Sequence, residues 1–157
     1  MRSMQFKAYE MKLKAVTKQT SPCIQCIPFE KRFFEEYKRI YNESFYDMRK
    51  SLDIKPYNVL TCYEQIRKKS KDIFLYFMEG ELKGSVACYG SEIDDLFVKK
   101  SDRNKGIGKQ LLLWAIRSIK SKTDSPVTLH VAECNQSAVK LYERTGFLIS
   151  KTVTITL

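Results

Sequence analysis

Histidine occurs once in this sequence, at position 130, and the apolar runs "IFLYFM" and "LLLWAI" are far too short to cross a bilayer. The opening stretch "MRSMQFKAYEMKLKA" has no apolar signal core. A soluble, unexported, cytoplasmic protein without a membrane partner is therefore expected. The five cysteines are odd in number and lack framework spacing, which argues against a disulfide scaffold and for reduced thiols. A zinc site could only join His130 to Cys23, Cys26 and Cys134. The strand-like sequence around Cys23 and Cys26 sends those two side chains to opposite faces, so no metal is expected and the cysteines read as ordinary semi-buried residues. No internal repeat, low-complexity tract or long linker divides the chain, and residues 1–157 read as a single domain.

What is present is globular in composition: 43% hydrophobic and 29% charged residues over 157 positions, enough to bury a core without staples. The net charge of +10 invites a nucleic-acid reading. A lysine-rich solvated surface explains it equally well. Lys68, Lys69 and Lys71 are not interleaved with the aromatic platforms of single-strand binders, so no specific nucleic-acid partner is expected.

Alternation in "YEMKLKAV" places Tyr9, Met11, Leu13 and Ala15 on one face of a strand, with Lys12 and Lys14 opposite. A turn over Thr17 to Pro22 leads to a second short strand, "CIQCI". Pro28 suits a first helical turn, and Phe33, Tyr37, Ile40 and Tyr41 predict an amphipathic helix from Phe29 to Ser44. Thr61 with Glu64 reads as a capping box opening a second helix to about Lys69. "IFLYFM", "EGEL" and "KGSVACY" form a hairpin, and "EIDDLFV" is the next strand. Leu112, Ala115, Ile116 and Ile119 form a helical stripe, followed by the strand "VTLHV". Asn135 caps a last helix, Gly146 stops it, and "FLISKTVTITL" is strand-like. The order is ββααβββαβαβ, an α/β chain.

The most informative stretch is "LFVKKSDRNKGIGKQLLLWAI". A strand runs into a glycine-broken basic turn and directly into a helix, so backbone N–H groups and a positive dipole end meet at one point. Gly106 and Gly108 permit close approach of an anion, and Arg103, Lys105 and Lys109 surround it with charge. That is the makeup of a pyrophosphate cradle; a tight turn with solvated lysines is the plainer alternative. A Walker loop fails because Gln110 follows Lys109 and Arg103 stands where its first glycine belongs. A dinucleotide fingerprint fails at Leu111.

What remains is R-x-x-G-x-G after a strand ending "LFV", followed by N-x-x-A-x-x-L-Y-x-x-x-G-F from Asn135, Ala138, Leu141, Tyr142, Gly146 and Phe147. From about Ile73 to Phe147 the sequence resembles the GNAT superfamily of acetyl-CoA-dependent N-acetyltransferases; before Ile73 only the pattern of elements agrees. The resemblance implies a mixed, centrally splayed β-sheet flanked by helices. It implies that Arg103, Asn104, Lys105, Gly106, Ile107, Gly108 and Lys109 hold the CoA pyrophosphate. Leu96, Phe97 and Val98 would pair with the pantetheine arm, and one of their N–H groups would polarise the acetyl carbonyl. Asn135 would touch pantetheine or brace the splay, and Tyr142 would lie near the thioester sulfur.

Amine acetylation needs an uncharged amine, and an alkylamine with a reference pKa of about 10.4 must first lose a proton. A phenol at Tyr142 can protonate the departing thiolate; it could also be a core tyrosine. His130 lies in "LHVAECN", where N-terminal and ribosomal-protein acetyltransferases of the superfamily often carry a catalytic glutamate. An imidazole, with a reference pKa of about 6.5, suits the base, though it could simply line the sheet. Asp94 and Glu92, on one face of "EIDDLFV", are the other candidates, with Asp95 expected to face away. The expected activity is acetyl transfer to a primary amine of a small molecule or protein by direct attack in a ternary complex. The different-class alternative is a non-catalytic acyl-CoA-binding or nucleic-acid-binding module. Family members usually continue past the G-F for a strand, a turn and a last strand, whereas only ten residues follow Phe147 here. That leaves one long strand or a tight hairpin, and a second copy of the chain is one way to complete the edge.

Overall fold

The computed structural model of the chain describes residues 4–14 and 21–157. The elements are β1 (Gln5–Leu13), β2 (Ile27–Pro28), α1 (Phe34–Ser51), β3 (Ile73–Met78), β4 (Glu81–Tyr89), β5 (Glu92–Val98), α2 (Ile107–Lys120), β6 (Thr128–Ala132), α3 (Gln136–Thr145) and β7 (Phe147–Thr156). They build one seven-stranded sheet in the order β2-β3-β4-β5-β6-β1-β7. Only β5 and β6 run parallel; the other neighbours are antiparallel.

The sheet has a core on each face. Leu112, Ala115, Ile116 and Ile119 of α2, with Val139 and Tyr142 of α3, bury against Met11, Val86, Ile93, Leu129 and Val131. On the other face Phe34, Tyr37 and Ile40 of α1 bury against Leu75, Leu82, Ala87 and Phe97. Strands buried on both sides read as nearly continuous apolar runs, which is how "IFLYFM" and "SVAC" appear in the sequence. α2 lies so close to β4 that a Cβ at Gly84 would stand 2.8 Å from Leu111 Cδ1 and from Phe97 O, so only glycine fits there.

Several expectations are met. Tyr9, Met11 and Leu13 do face one core, while Ala15 and the part of the turn from Thr17 to Thr20 lie outside the described residues. Asn135 caps α3 through Ala138 N–H (3.4 Å), and Gly146 ends it at φ 111°.

Others are corrected. Cys23–Cys26 is not a strand; only Ile27 and Pro28 pair, with Leu75 and Phe74 of β3. Pro28 thus belongs to an edge strand, where its missing N–H costs nothing, and not to a helix. α1 begins after a 3₁₀ turn at Lys31–Phe33 and runs to Ser51, because Phe45 extends its apolar face to pack on Tyr41 and Phe97. The expected helix from Thr61 to Lys69 is instead a chain of turns including the 3₁₀ turn Tyr63–Gln65. Only Ile66 is buried in that stretch, so an α-helix would have no apolar stripe to cover. Its cap is made by Gln65, whose Oε1 accepts from Thr61 N–H (2.6 Å) and Cys62 N–H (3.1 Å), and Glu64 pairs with Arg67.

The ten-residue tail forms one long strand, β7, and the space beside it is filled from the other end of the chain. β1 lies between β6 and β7, and Leu157 N–H donates to Met4 O (2.9 Å). β7 is itself an edge strand of the sheet, with β1 as its neighbour.

Candidate active site

β5 and β6 pair only at Glu92 with Thr128 and Ile93 with Leu129. Beyond those pairs the two strands part, leaving a wedge. β4 still holds the far side of β5, through Gly84 opposite Val98 and Ser85 opposite Phe97, so the segment Leu96–Val98 keeps the edge toward β6 open. Phe97 turns its ring into the α1 core against Tyr37, Tyr41 and Phe45, so only its backbone is available to a ligand. Leu96 and Val98 are half-buried against the opposite core.

β5 also carries a bulge. Asp94 stands opposite Ala87 and Phe97 opposite Ser85, so Asp95 and Leu96 share Val86 as partner, and Asp95 adopts φ 47°. The bulge corrects the expected orientation of Asp95. Its carboxylate turns to the α1 side, where Tyr41 O–H (3.2 Å) and Tyr89 O–H (3.4 Å) donate to it.

At the end of β5 the basic turn leads into α2. Asn104 (φ 64°) and Gly106 (φ 85°) are left-handed, and Gly106 is the N-cap. The first backbone bond of the helix is Gln110 N–H to Gly106 O (3.2 Å), so the N–H groups of Ile107, Gly108 and Lys109 have no acceptor among the described residues. A Cβ at Gly108 would meet Leu141 Cδ2 at 3.5 Å and Val98 Cγ2 at 3.7 Å, which is ordinary contact. The fold therefore does not demand glycine at 108; close approach of a ligand would.

Two of the basic residues are braces instead of free charges. Arg103 donates from Nε to Val98 O (3.2 Å) and from Nη2 to Ser44 O (3.3 Å), tying α1 to the strand end. Lys105 (3.2 Å) and Lys83 (3.3 Å) both hold the carboxylate of Asp102. Burial pushes that carboxyl up, but the hydrogen bonds from Lys105 and Lys83 outweigh it and leave it below the ordinary value. Lys109 is exposed. Asn135 spends its side-chain oxygen on capping α3 and its N–H on Ala132 O (2.9 Å), so it fixes the point where β6 turns away from the wedge.

Tyr142, on α3, is buried at 8% exposure with its ring edge-on to Phe147. Its hydroxyl has no hydrogen-bond partner among the described residues. Burial first, and then the charge of Asp94, push the phenol far above its usual range, so it stays protonated. Asp94 reaches solvent, yet crowding by protein atoms, followed by the Asp95 charge, raises its carboxyl above the ordinary value. His130 is the first residue of β6 past the last pair with β5. Its Nδ1 lies 2.9 Å from Glu92 Oε1 and its Nε2 3.7 Å from Glu10 Oε2, while Lys151 pairs with Glu10 at 3.3 Å.

The turn, the end of β5 and α3 thus meet, since a Cβ at Gly108 would lie within 4 Å of both Leu141 and Val98. His130 stands apart from Tyr142: Leu129 and Val131 on either side of it are buried in the core of Tyr142, so its ring faces the other side of the sheet, with Glu92 and Glu10. Among the described residues no group of three metal-ligating side chains occurs, and Cys26 is buried, its thiol pushed up to about 12 by burial and then by Cys88. Sequence reading missed Glu10, Asp102, Tyr41 and Tyr89. Glu10 could have been found, since it shares the polar face of β1 with Lys12; the others depend on contacts between distant segments.

Residues 31–147 match the family model of the acetyltransferase (GNAT) family. N-alpha-acetyltransferase MAK3 of Arabidopsis thaliana is 29% identical over 104 residues, covering 61% of this chain and 55% of its own length. GCN5-related N-acetyltransferase 6, chloroplastic, of the same plant is 27% identical over 152 residues, covering 77% of this chain and 52% of its own length. The chain thus spans about half the length of these curated relatives. Among solved structures, a GNAT-family protein from Novosphingobium aromaticivorans overlays 99% of this chain and 65% of its own at TM-score 0.72 and 16% identity. The PaiA N-acetyltransferase from Thermoplasma acidophilum, solved in complex with coenzyme A, overlays 77% of this chain and 87% of its own at TM-score 0.57 and 20% identity. These two likenesses are of fold. The family match covers most of the chain, from the start of α1 to the G-F after α3, and the chain belongs to the acetyltransferase (GNAT) family.

Proposed function

We propose that the protein transfers an acetyl group from acetyl-CoA to a primary amine by direct attack in a ternary complex. The observation that carries this reading is Tyr142: a buried, protonated phenol with no partner among the described residues, on the helix beside the wedge. A buried hydroxyl left unpaired costs about 1–3 kcal/mol unless something else satisfies it, and a thioester sulfur in the wedge would do so.

The residues present fit acetyl-CoA as co-substrate. Ile107, Gly108 and Lys109 offer unpaired N–H groups at a helix N-terminus to the pyrophosphate, and Gly108 leaves it room. The open edge of Leu96–Val98 accepts the extended arm as a strand would, and one of its N–H groups polarises the carbonyl. The amine must lose a proton to attack. With Nδ1–H donating to Glu92, His130 keeps Nε2 to receive that proton. The amine nitrogen bonds to the carbonyl carbon, the carbon–sulfur bond breaks, and Tyr142 gives its proton to the thiolate; the second proton shed by the nitrogen as the amide forms restores the phenol. Release of CoA thiol in the presence of a primary amine, with matching N-acetylated product by mass spectrometry, tests the proposal. Thiol release that does not depend on the amine would remove it.

A further inference from the structure

Lys69 sits between the 3₁₀ turns Tyr63–Gln65 and Ser70–Asp72, on the connection from α1 to β3. Its backbone is held on both sides, by Lys69 N–H to Ile66 O (3.1 Å) and Asp72 N–H to Lys69 O (3.0 Å). Its side chain reaches across to the sheet. The ammonium lies 3.6 Å from Asp95 Oδ2 and 5.9 Å from the centre of the Tyr89 ring. The Asp95 side chain is only 13% exposed, whereas that of Lys69 is 44% exposed. A recessed carboxylate oriented by two phenols, beside an aromatic face, is a receptor for one alkylammonium, and an exposed lysine from the same chain fills it.

The position matters as much as the chemistry. Asp95 is the bulge residue immediately before Leu96, at the point where β5 leaves β6. Asp94 beside it has no cation within ion-pair distance among the described residues. In a chain of net charge +10, β5 carries three carboxylates within four residues, Glu92, Asp94 and Asp95, and the charges of Asp95 and Glu92 both act on Asp94. A carboxylate favours the protonated amine, so the amine held by Asp95 is not the one made ready to attack.

We propose that the Asp95–Tyr89–Tyr41 recess binds a second, non-reacting ammonium of the acceptor, and that Lys69 is its tethered occupant, displaced when the acceptor enters. The acceptor class is then an alkyl diamine or polyamine. The identity of the acceptor rests on the acetyl-transfer reading; the existence of the ammonium site does not.

The test uses 1,4-diaminobutane and n-butylamine as probes on the full chain loaded with CoA. Calorimetry should show diaminobutane binding about two- to fivefold tighter to Lys69→Gln than to the wild type, the size of a partly exposed ion pair. Asp95→Asn should weaken it about tenfold or more. Asparagine tolerates the left-handed backbone at 95, so this variant should keep the fold. In turnover, the wild type should favour diaminobutane over butylamine, and Asp95→Asn should erase that preference. Unchanged diaminobutane affinity in both variants, with CoA affinity intact, overturns the ammonium site. The expected binding pattern without any amine turnover would support the site and remove the acetyl-transfer reading instead.

Discussion

Ile93 and Phe97 stand on the same strand at even spacing and yet face opposite cores, Ile93 toward α2 and α3 and Phe97 toward α1. Regular pleating would put them on one face. The bulge at Asp95 reverses the strand halfway, and it does so where β5 parts from β6. One irregularity therefore turns Asp95 to the α1 side and leaves the edge of Leu96–Val98 toward β6 open.

Asp94 should register this crowding as a pH-dependent cost. Its raised pKa means that folding favours the protonated carboxyl: that stability is fully present below the unfolded value, about 3.9, and is lost as pH rises through the higher folded value. Asp94→Asn, neutral throughout, should be more stable than wild type near pH 7, with the advantage shrinking as the pH falls toward 4. Urea unfolding across that range checks it; a pH-independent difference would refute the cause given.

The two turn glycines should separate cleanly. Gly106 is left-handed, so Gly106→Ala should cost about 1 kcal/mol or more in stability. Gly108→Ala meets only ordinary contacts and should leave stability within about 0.5 kcal/mol. It should weaken CoA binding about tenfold, the worth of one or two charge-assisted hydrogen bonds held at a distance. Denaturant unfolding and calorimetry on both variants give the comparison.

Tyr142→Phe removes a hydroxyl that has no partner among the described residues. Folding stability should be unchanged or slightly higher, because a buried polar group without a partner is a cost. kcat should fall roughly 10²-fold with little change in acetyl-CoA affinity. A stable variant with wild-type turnover makes the tyrosine a packing residue.

Most of the fold after Ile73 was legible in the sequence because each signal there is local: a hairpin turn at Glu79–Gly80, a left-handed glycine before α2, and an asparagine cap and glycine stop around α3. What was not legible depends on distant partners. The placement of β1 between β6 and β7 is carried by no turn signal. The stretch from Thr61 to Lys69 mimicked a capped helix while lacking the apolar stripe to hold one. Alternation places Asp95 on the wrong face because a bulge leaves no mark in it. Tyr142 and His130 could be singled out through the family resemblance, but the Glu92 and Glu10 carboxylates on either side of His130 come from two other strands.

His130→Ala should lower kcat/KM near neutral pH and recover partly at high pH, where the amine deprotonates unaided. Glu92→Gln should act in the same direction, since it loosens the hydrogen bond that orients the ring. A pH–rate profile unmoved by His130→Ala would shift the base to Asp94, Glu92 or a water chain.

The central claim is direct transfer from acetyl-CoA to an amine while both are bound, with no acetylated protein in between. Initial rates of CoA thiol release, measured with acetyl-CoA and 1,4-diaminobutane varied against each other, test it most directly. The account predicts intersecting lines in the double-reciprocal plot and one acetylated amine for each thiol released. Parallel lines, or thiol release before any amine is added, would contradict it.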